Sequence, residues 1–199
     1  MTASGPAADA DGSPPADTGR DPAPKKPRPE SLRSGSPHPP RAPLHLYLYV
    51  DGASSGNPGP CGAAAILKDE EGTTLLERAR AFGPATNNVA EYQGLLLGLE
   101  LAAQLKPNIL TIRSDSELLV RQVAGQYKVR ATHLKPLLRQ VQRLLAPFET
   151  VEIEHIPRGQ NAEADKLAHK ALEKARAVDA DLPPEARKKP RTKKFKLKG

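Results

Sequence analysis

Apolar and polar residues alternate from Leu44 to Asp51: Leu44, Leu46, Leu48 and Val50 interleave with His45, Tyr47, Tyr49 and Asp51. A period of two puts each set on its own face of a strand. Both sets are mostly apolar, which predicts a strand covered on both sides and ending at Asp51. A turn holding Gly52, Gly56 and Gly59 follows, where backbone can approach a ligand closely. Asp-Gly is equally a common hairpin pair. Small apolar residues at 61–67, a turn at 69–72 and a further strand at 73–82 predict an antiparallel meander, ended by Gly83-Pro84.

Helical spacing then takes over. Tyr92, Leu95, Leu96, Leu99, Ala102 and Ala103 predict a helix over 89–105, on which Gly94 and Gly98 lie one turn apart and permit close packing. A short strand at 109–113 leads to Asp115 and a short helix at 117–124. Leu134, Leu137, Leu138, Val141, Leu144 and Leu145 define another helix, with Lys135, Arg139 and Arg143 on a different side. Val151, Ile153, His155 and Ile156 form a last strand, 157–159 a loop, and a final helix runs from Ala162 to about Lys174. The order β-β-β-α-β-α-α-β-α predicts an α/β fold, a mixed sheet with helices packed on its faces.

Charge changes the picture only when divided along the chain. Residues 1–43 carry 6 Lys+Arg against 5 Asp+Glu, residues 44–175 carry 15 of each, and residues 176–199 carry 9 against 3. The central domain is therefore neutral, and the net +7 resides almost entirely in the C-terminal segment. Eleven of the 21 prolines fall in residues 1–43, a composition too poor in apolar surface to offset ordering, so this segment reads as a disordered tail. Residues 176–199 read as a basic disordered tail. Its run from Arg187 to Lys198 could supply phosphate contacts or act only as a solubilising end.

Cys61 is the only cysteine, which excludes an internal disulfide and any multi-cysteine zinc site and fits a reducing compartment. No stretch reaches the roughly 18 apolar residues of a membrane span, and the N-terminus has no signal-peptide core. The expectation is a soluble cytoplasmic protein that does not contact membrane.

Four acids stand where elements begin or end: Asp51, Glu91, Asp115 and Asp165. Carboxylates converging from separate elements suit a hard divalent cation such as Mg²⁺. Each also has a local explanation. Asn88 with Glu91 fits a capping box, Asp115 lies between two serines at a helix start, and Asp165 falls in the first turn of a helix begun at Asn161.

The words around these acids carry a resemblance. Asp51-Gly-Ala-Ser-Ser-Gly-Asn-Pro-Gly, Thr86-Asn-Asn-Val-Ala-Glu91, Ser114-Asp115-Ser116 and Asn161-Ala-Glu-Ala-Asp165-Lys-Leu-Ala resemble, in order, the four signature blocks of the type 1 ribonuclease H family over residues 44–175. The resemblance implies a five-stranded mixed sheet flanked by helices, in agreement with the element order. It also implies that the four acids ligate two Mg²⁺, with Mn²⁺ able to substitute. The implied reaction is endonucleolytic cleavage of the RNA strand of an RNA–DNA hybrid, leaving a 5′-phosphate and a 3′-hydroxyl. A monomer is the separate expectation for the chain. Gly52, Asn57, Asn87 and Asn88 match positions that meet the sugar and phosphate edges of the hybrid.

Three departures from the family pattern follow. Residues 125–132 leave no room for the basic, tryptophan-containing insertion of the better-studied members, and the chain has no Trp. Glu117 occupies a position that is often Gln. The loop that carries a catalytic histidine is shortened, so that His155 is a strand residue and Arg158 the nearer candidate for the loop's role. This pattern resembles the short subgroup lacking the protrusion. A hybrid or double-stranded RNA binding module with little hydrolysis is the rival expectation.

Overall fold

The computed structural model describes residues 44–181. The reading of residues 1–43 and that of residues 182–199 lie outside the described residues, whereas residues 176–181, read with the C-terminal tail, are the end of the last helix, whose pattern of buried alanines runs on through Ala175. Five strands form one sheet in the order β3-β2-β1-β4-β5, the mixed sheet that the element order implies. β1 (His45–Ser54) is its axis. It pairs antiparallel with β2 (Gly59–Lys68) from Tyr47↔Lys68 to Ser54↔Cys61. On its other side it pairs parallel with β4 (Ile109–Ser114), but only from His45↔Ile109 to Tyr49↔Arg113. Beyond Tyr49, β1 therefore keeps one neighbour and loses the other. β3 (Thr74–Ala85) and β5 (Thr150–His155) complete the edges.

α1 (Asn87–Leu105) lies on one face of the sheet, with α3 (Lys135–Leu145) packed against it and α2 (Glu117–Val123) beside both. α4 (Ala162–Asp181) lies against β1, β2 and β3, entered through a 3-10 turn at Arg158–Asn161. The main core is on the α1 side. Leu46, Leu48 and Val50 are wholly buried there against Leu95 and Leu99, each worth roughly 1.5–3 kcal/mol of transfer free energy. α1 is apolar on several sides because sheet and α3 both cover it. The buried Tyr92 hydroxyl donates to Gln122 Oε1 at 2.9 Å and ties α1 to α2. The core on the α4 side is small: Ala53, Ala64, Ala168 and Leu172.

Several element ends, and the cover of one strand face, depart from the sequence reading. β1 does not end at Asp51 but runs to Ser54, because β2 continues to pair with it through Asp51↔Ala64. β3 passes through Gly83-Pro84 to Ala85; it is an edge strand, where a proline need not donate to a ladder. α4 continues beyond Lys174 to Asp181. The second face of β1 is covered only in part: His45, Tyr47 and Tyr49 are half-buried, and the Arg113 guanidinium lies 4.3 Å from the Tyr47 ring centroid in place of a helix.

Candidate active site

Where β1 and β4 part, the sheet opens between the carboxyl ends of two parallel strands, the place where open α/β sheets bind ligands. Asp51 lies just past this fork on β1, and Asp115 directly follows β4. Strand alternation puts Asp51 on the same face as Ala53, the face that α4 covers.

Missing side chains allow the helices to come close. A Cβ on Gly52 would fall inside the backbone of Ala90 and Glu91, so only glycine lets the first turns of α1 lie on β1. Gly94 meets the Asp51 carbonyl in the same way, which is the close packing its spacing forecast. Across the sheet, Gly62 makes room for the α4 backbone at Ala168 and Leu172. Glu91 from α1 and Asp165 from α4 are thereby delivered to the Asp51 side of the fork.

A cleft of about 250 Å³ results, lined by all four acids, by Gly52, Asn87 and Arg158, and by His169. The other sequence candidates lie outside that lining. Asn57 is exposed, but its Oδ1 accepts from the Asn87 N–H at 3.2 Å and so holds the mouth of the cleft. Asn88 is exposed in the first turn of α1, and His155 is exposed at the end of β5.

The local explanations of the acids fare differently. The α1 cap is Thr86, whose Oγ1 accepts from the Val89 N–H at 3.4 Å, so the Asn88–Glu91 capping box does not form. Glu91 is instead buried at 8% exposure, with Oε1 accepting from Asn87 Nδ2 at 3.4 Å and Oε2 unpartnered. Ser116 caps α2 by accepting from the Leu119 N–H, which leaves Asp115 without that duty. Asp165 does lie in the first turn of α4, where the helix dipole favours it. Glu117 pairs with Arg121 at 2.6 Å on the exposed surface of α2.

The electrostatics are those of a crowded anionic site. Burial, then the Asp115 carboxylate, pushes Asp51 up to about 7, against partial relief from the Gly52 N–H and Arg158. Burial, then Asp51 and Asp115, pushes Glu91 up to about 9. Arg158 forms an ion pair with Asp165, whose carboxylate holds the guanidinium pKa above its ordinary value. An all-carboxylate set with a buried, unpartnered oxygen fits a hard divalent cation, which would replace the protons that burial otherwise imposes.

Two residues escaped sequence reading. Asn161 was read only as a helix start, yet it is 1% exposed and its Nδ2 donates to the Val50 carbonyl at 3.0 Å and to Asp115 Oδ1 at 2.7 Å. His169 was not singled out, although its four-residue distance from Asp165 puts both on one helix face.

Comparison with known proteins accords with this geometry. The family described as Reverse transcriptase-like matches residues 49–171. A solved N-terminal RNase H domain of the bifunctional protein Rv2228c from Mycobacterium tuberculosis superposes with a TM-score of 0.66 at 39% identity, covering 68% of this chain and 98% of that one. The chain belongs to the ribonuclease H family. Within that family, a Ribonuclease HI of Halobacterium salinarum is 37% identical over 65% of either chain. LC11-RNase H1, solved in complex with an RNA/DNA hybrid, matches at 38% identity with a TM-score of 0.62, covering 65% of this chain and 98% of that one. The chain spans 39% of the length of the full mycobacterial relative. No described helix of this ribonuclease H family member is long and apolar enough to cross a membrane.

Proposed function

We propose that the protein is a divalent-cation-dependent endoribonuclease that hydrolyses the RNA strand of RNA–DNA hybrids, leaving a 5′-phosphate and a 3′-hydroxyl. The observation that carries this reading is the meeting of four acids from β1, α1, the end of β4 and α4 in one cleft. The hybrid-bound relative of the same fold supplies the substrate class. Asp51, Glu91, Asp115 and Asp165 are the residues that would hold two Mg²⁺, or Mn²⁺ in their place. When bound, such ions supply an activated water and stabilise the departing O3′.

The chain's own residues do the rest. Asn161 fixes Asp115 relative to β1, so that carboxylates from two strands keep one spacing. Arg158 balances part of the negative charge at Asp165. Asn87 is held between Ser54 Oγ and Glu91 Oε1, each at 3.4 Å, which sets its amide at the rim where a ribose passes. Asn57 spends its Oδ1 on the Asn87 N–H and keeps its Nδ2 for a sugar or phosphate oxygen. Together with the Gly52 carbonyl and Asn88, these groups would be the means of selecting a strand that carries 2′-hydroxyls. One chain contributes all four acids, so a monomer suffices. Removal of primers and hybrids left by replication and transcription is the cytoplasmic task that fits. The domain proposed to carry it is the one read at 44–175, its last helix running on to Asp181, and the basic run at 187–198 would add phosphate contacts.

The test is incubation of an end-labelled RNA–DNA hybrid with the protein and Mg²⁺, with Asp51→Asn as control. Internal cleavage of the RNA strand by the wild type alone supports the reading. A mobility shift without cleavage assigns the protein to hybrid binding instead.

A further inference from the structure

His169 is a histidine added to a carboxylate cleft, and three observations bear on what it does there. One ring nitrogen of His169 and one oxygen from each of Asp51 and Asp165 lie within 4.8 Å of one another. Donors sharing a single ion at about 2.1 Å can stand no more than about 4.2 Å apart, so a small side-chain rotation closes the set. His169 is exposed, and no hydrogen bond or ion pair holds it elsewhere among the described residues, so that rotation is unopposed. Independently, Glu91 Oε2 is buried in the same cleft and unpartnered, an oxygen prepared for a cation.

We infer that His169 is a nitrogen ligand of the cation held by Asp51 and Asp165, and that it biases the site toward a transition-metal ion such as Mn²⁺ over Mg²⁺. The helix supplies the geometry: residues four apart on α4 present Asp165 and His169 along one line facing Asp51. The donor chemistry supplies the bias. Mg²⁺ takes oxygen ligands and keeps its waters, whereas imidazole contributes to binding of first-row transition ions. Arg158 shares the Asp165 carboxylate, so an incoming ion competes with a guanidinium there, and an additional neutral donor strengthens the ion without adding negative charge.

This inference rests on the hydrolytic reading for its significance, but its test does not use turnover. Mn²⁺ binding to the full chain is followed from the loss of the free-ion electron paramagnetic resonance signal, and Mg²⁺ binding by competition against it. His169→Ala is expected to weaken Mn²⁺ binding about tenfold while Mg²⁺ binding changes less than about threefold. His169→Asp, which puts an oxygen donor in place of the nitrogen, is expected to bind Mg²⁺ at least as tightly as the wild type and to lose the Mn²⁺ preference. Circular dichroism checks that each variant is folded. An unchanged Mn²⁺-to-Mg²⁺ ratio in folded His169→Ala overturns the inference. A wild type that binds Mn²⁺ through His169 yet leaves hybrids intact overturns the hydrolytic reading alone.

Discussion

Asn161 holds Asp115 at 2.7 Å through the same amide nitrogen that reaches the Val50 carbonyl at 3.0 Å. One side chain at the foot of α4 thus clamps the acid that follows β4 to the strand carrying Asp51, across the point where β1 and β4 separate. Replacing Asn161 by Ala leaves a buried carbonyl unpaired and frees Asp115. The expected loss is about 1–3 kcal/mol of stability in urea unfolding. A rise in the Mg²⁺ concentration needed for half-maximal cleavage should accompany it. Wild-type stability in Asn161→Ala would mean that the clamp contributes nothing to folding.

Close approach of α1 to β1 depends on the bare backbone at Gly52. Gly52→Ala puts a methyl group into the main chain at Ala90 and Glu91, atoms that cannot rotate out of the way. A destabilisation of about 3 kcal/mol is expected. Gly83→Ala, at a site on β3 with nothing within reach of a new Cβ, should stay within about 0.5 kcal/mol of wild type. Thermal or chemical denaturation of the pair distinguishes tight packing from a general aversion to substitution.

Metal-free protein should lose stability as pH rises. Folding raises Asp51 from 3.8 to about 7 and Glu91 from 4.5 to about 9, so across that interval the folded chain retains protons that the unfolded chain has released. Their contribution is full below about pH 4 and is lost progressively as pH climbs through 7 and 9. In EDTA, the melting temperature is expected to fall between pH 5 and pH 9. Mg²⁺ should raise it more at pH 8 than at pH 5, and Asp51→Asn with Glu91→Gln should flatten the profile. A wild-type profile as flat as that of the double variant would refute the electrostatic account.

Arg158 and the cation draw on one carboxylate. Arg158→Ala should therefore lower the Mg²⁺ concentration for half-maximal activity, because Asp165 no longer has a competing partner. If the guanidinium also meets the hybrid, KM for substrate rises in the same variant. Metal titrations at saturating hybrid, and hybrid titrations at saturating metal, separate the two effects.

Alternation in the stretch from Leu46 to Val50, the helical spacing that begins at Tyr92, and the four blocks around the acids were sufficient to read the element order, the mixed sheet and the four carboxylates. Those features are local: each depends on side-chain period or on residues a few positions apart. Whether Glu91 caps a helix or enters a cleft was not local. Thr86 takes the cap, and Gly52 and Gly94 draw α1 onto β1, so the acid has nowhere to go but the site. The continuation of β1 past Asp51 likewise required β2, whose pairing outlasts that of β4. Asn161 acquires its partners, and His169 its place in the cleft, only when α4 settles on the sheet at Gly62, because Val50 and Asp115 are 111 and 46 positions from Asn161 along the chain. Period and motif specify what a segment becomes, whereas the packing of segments decides which oxygens and nitrogens share a cleft.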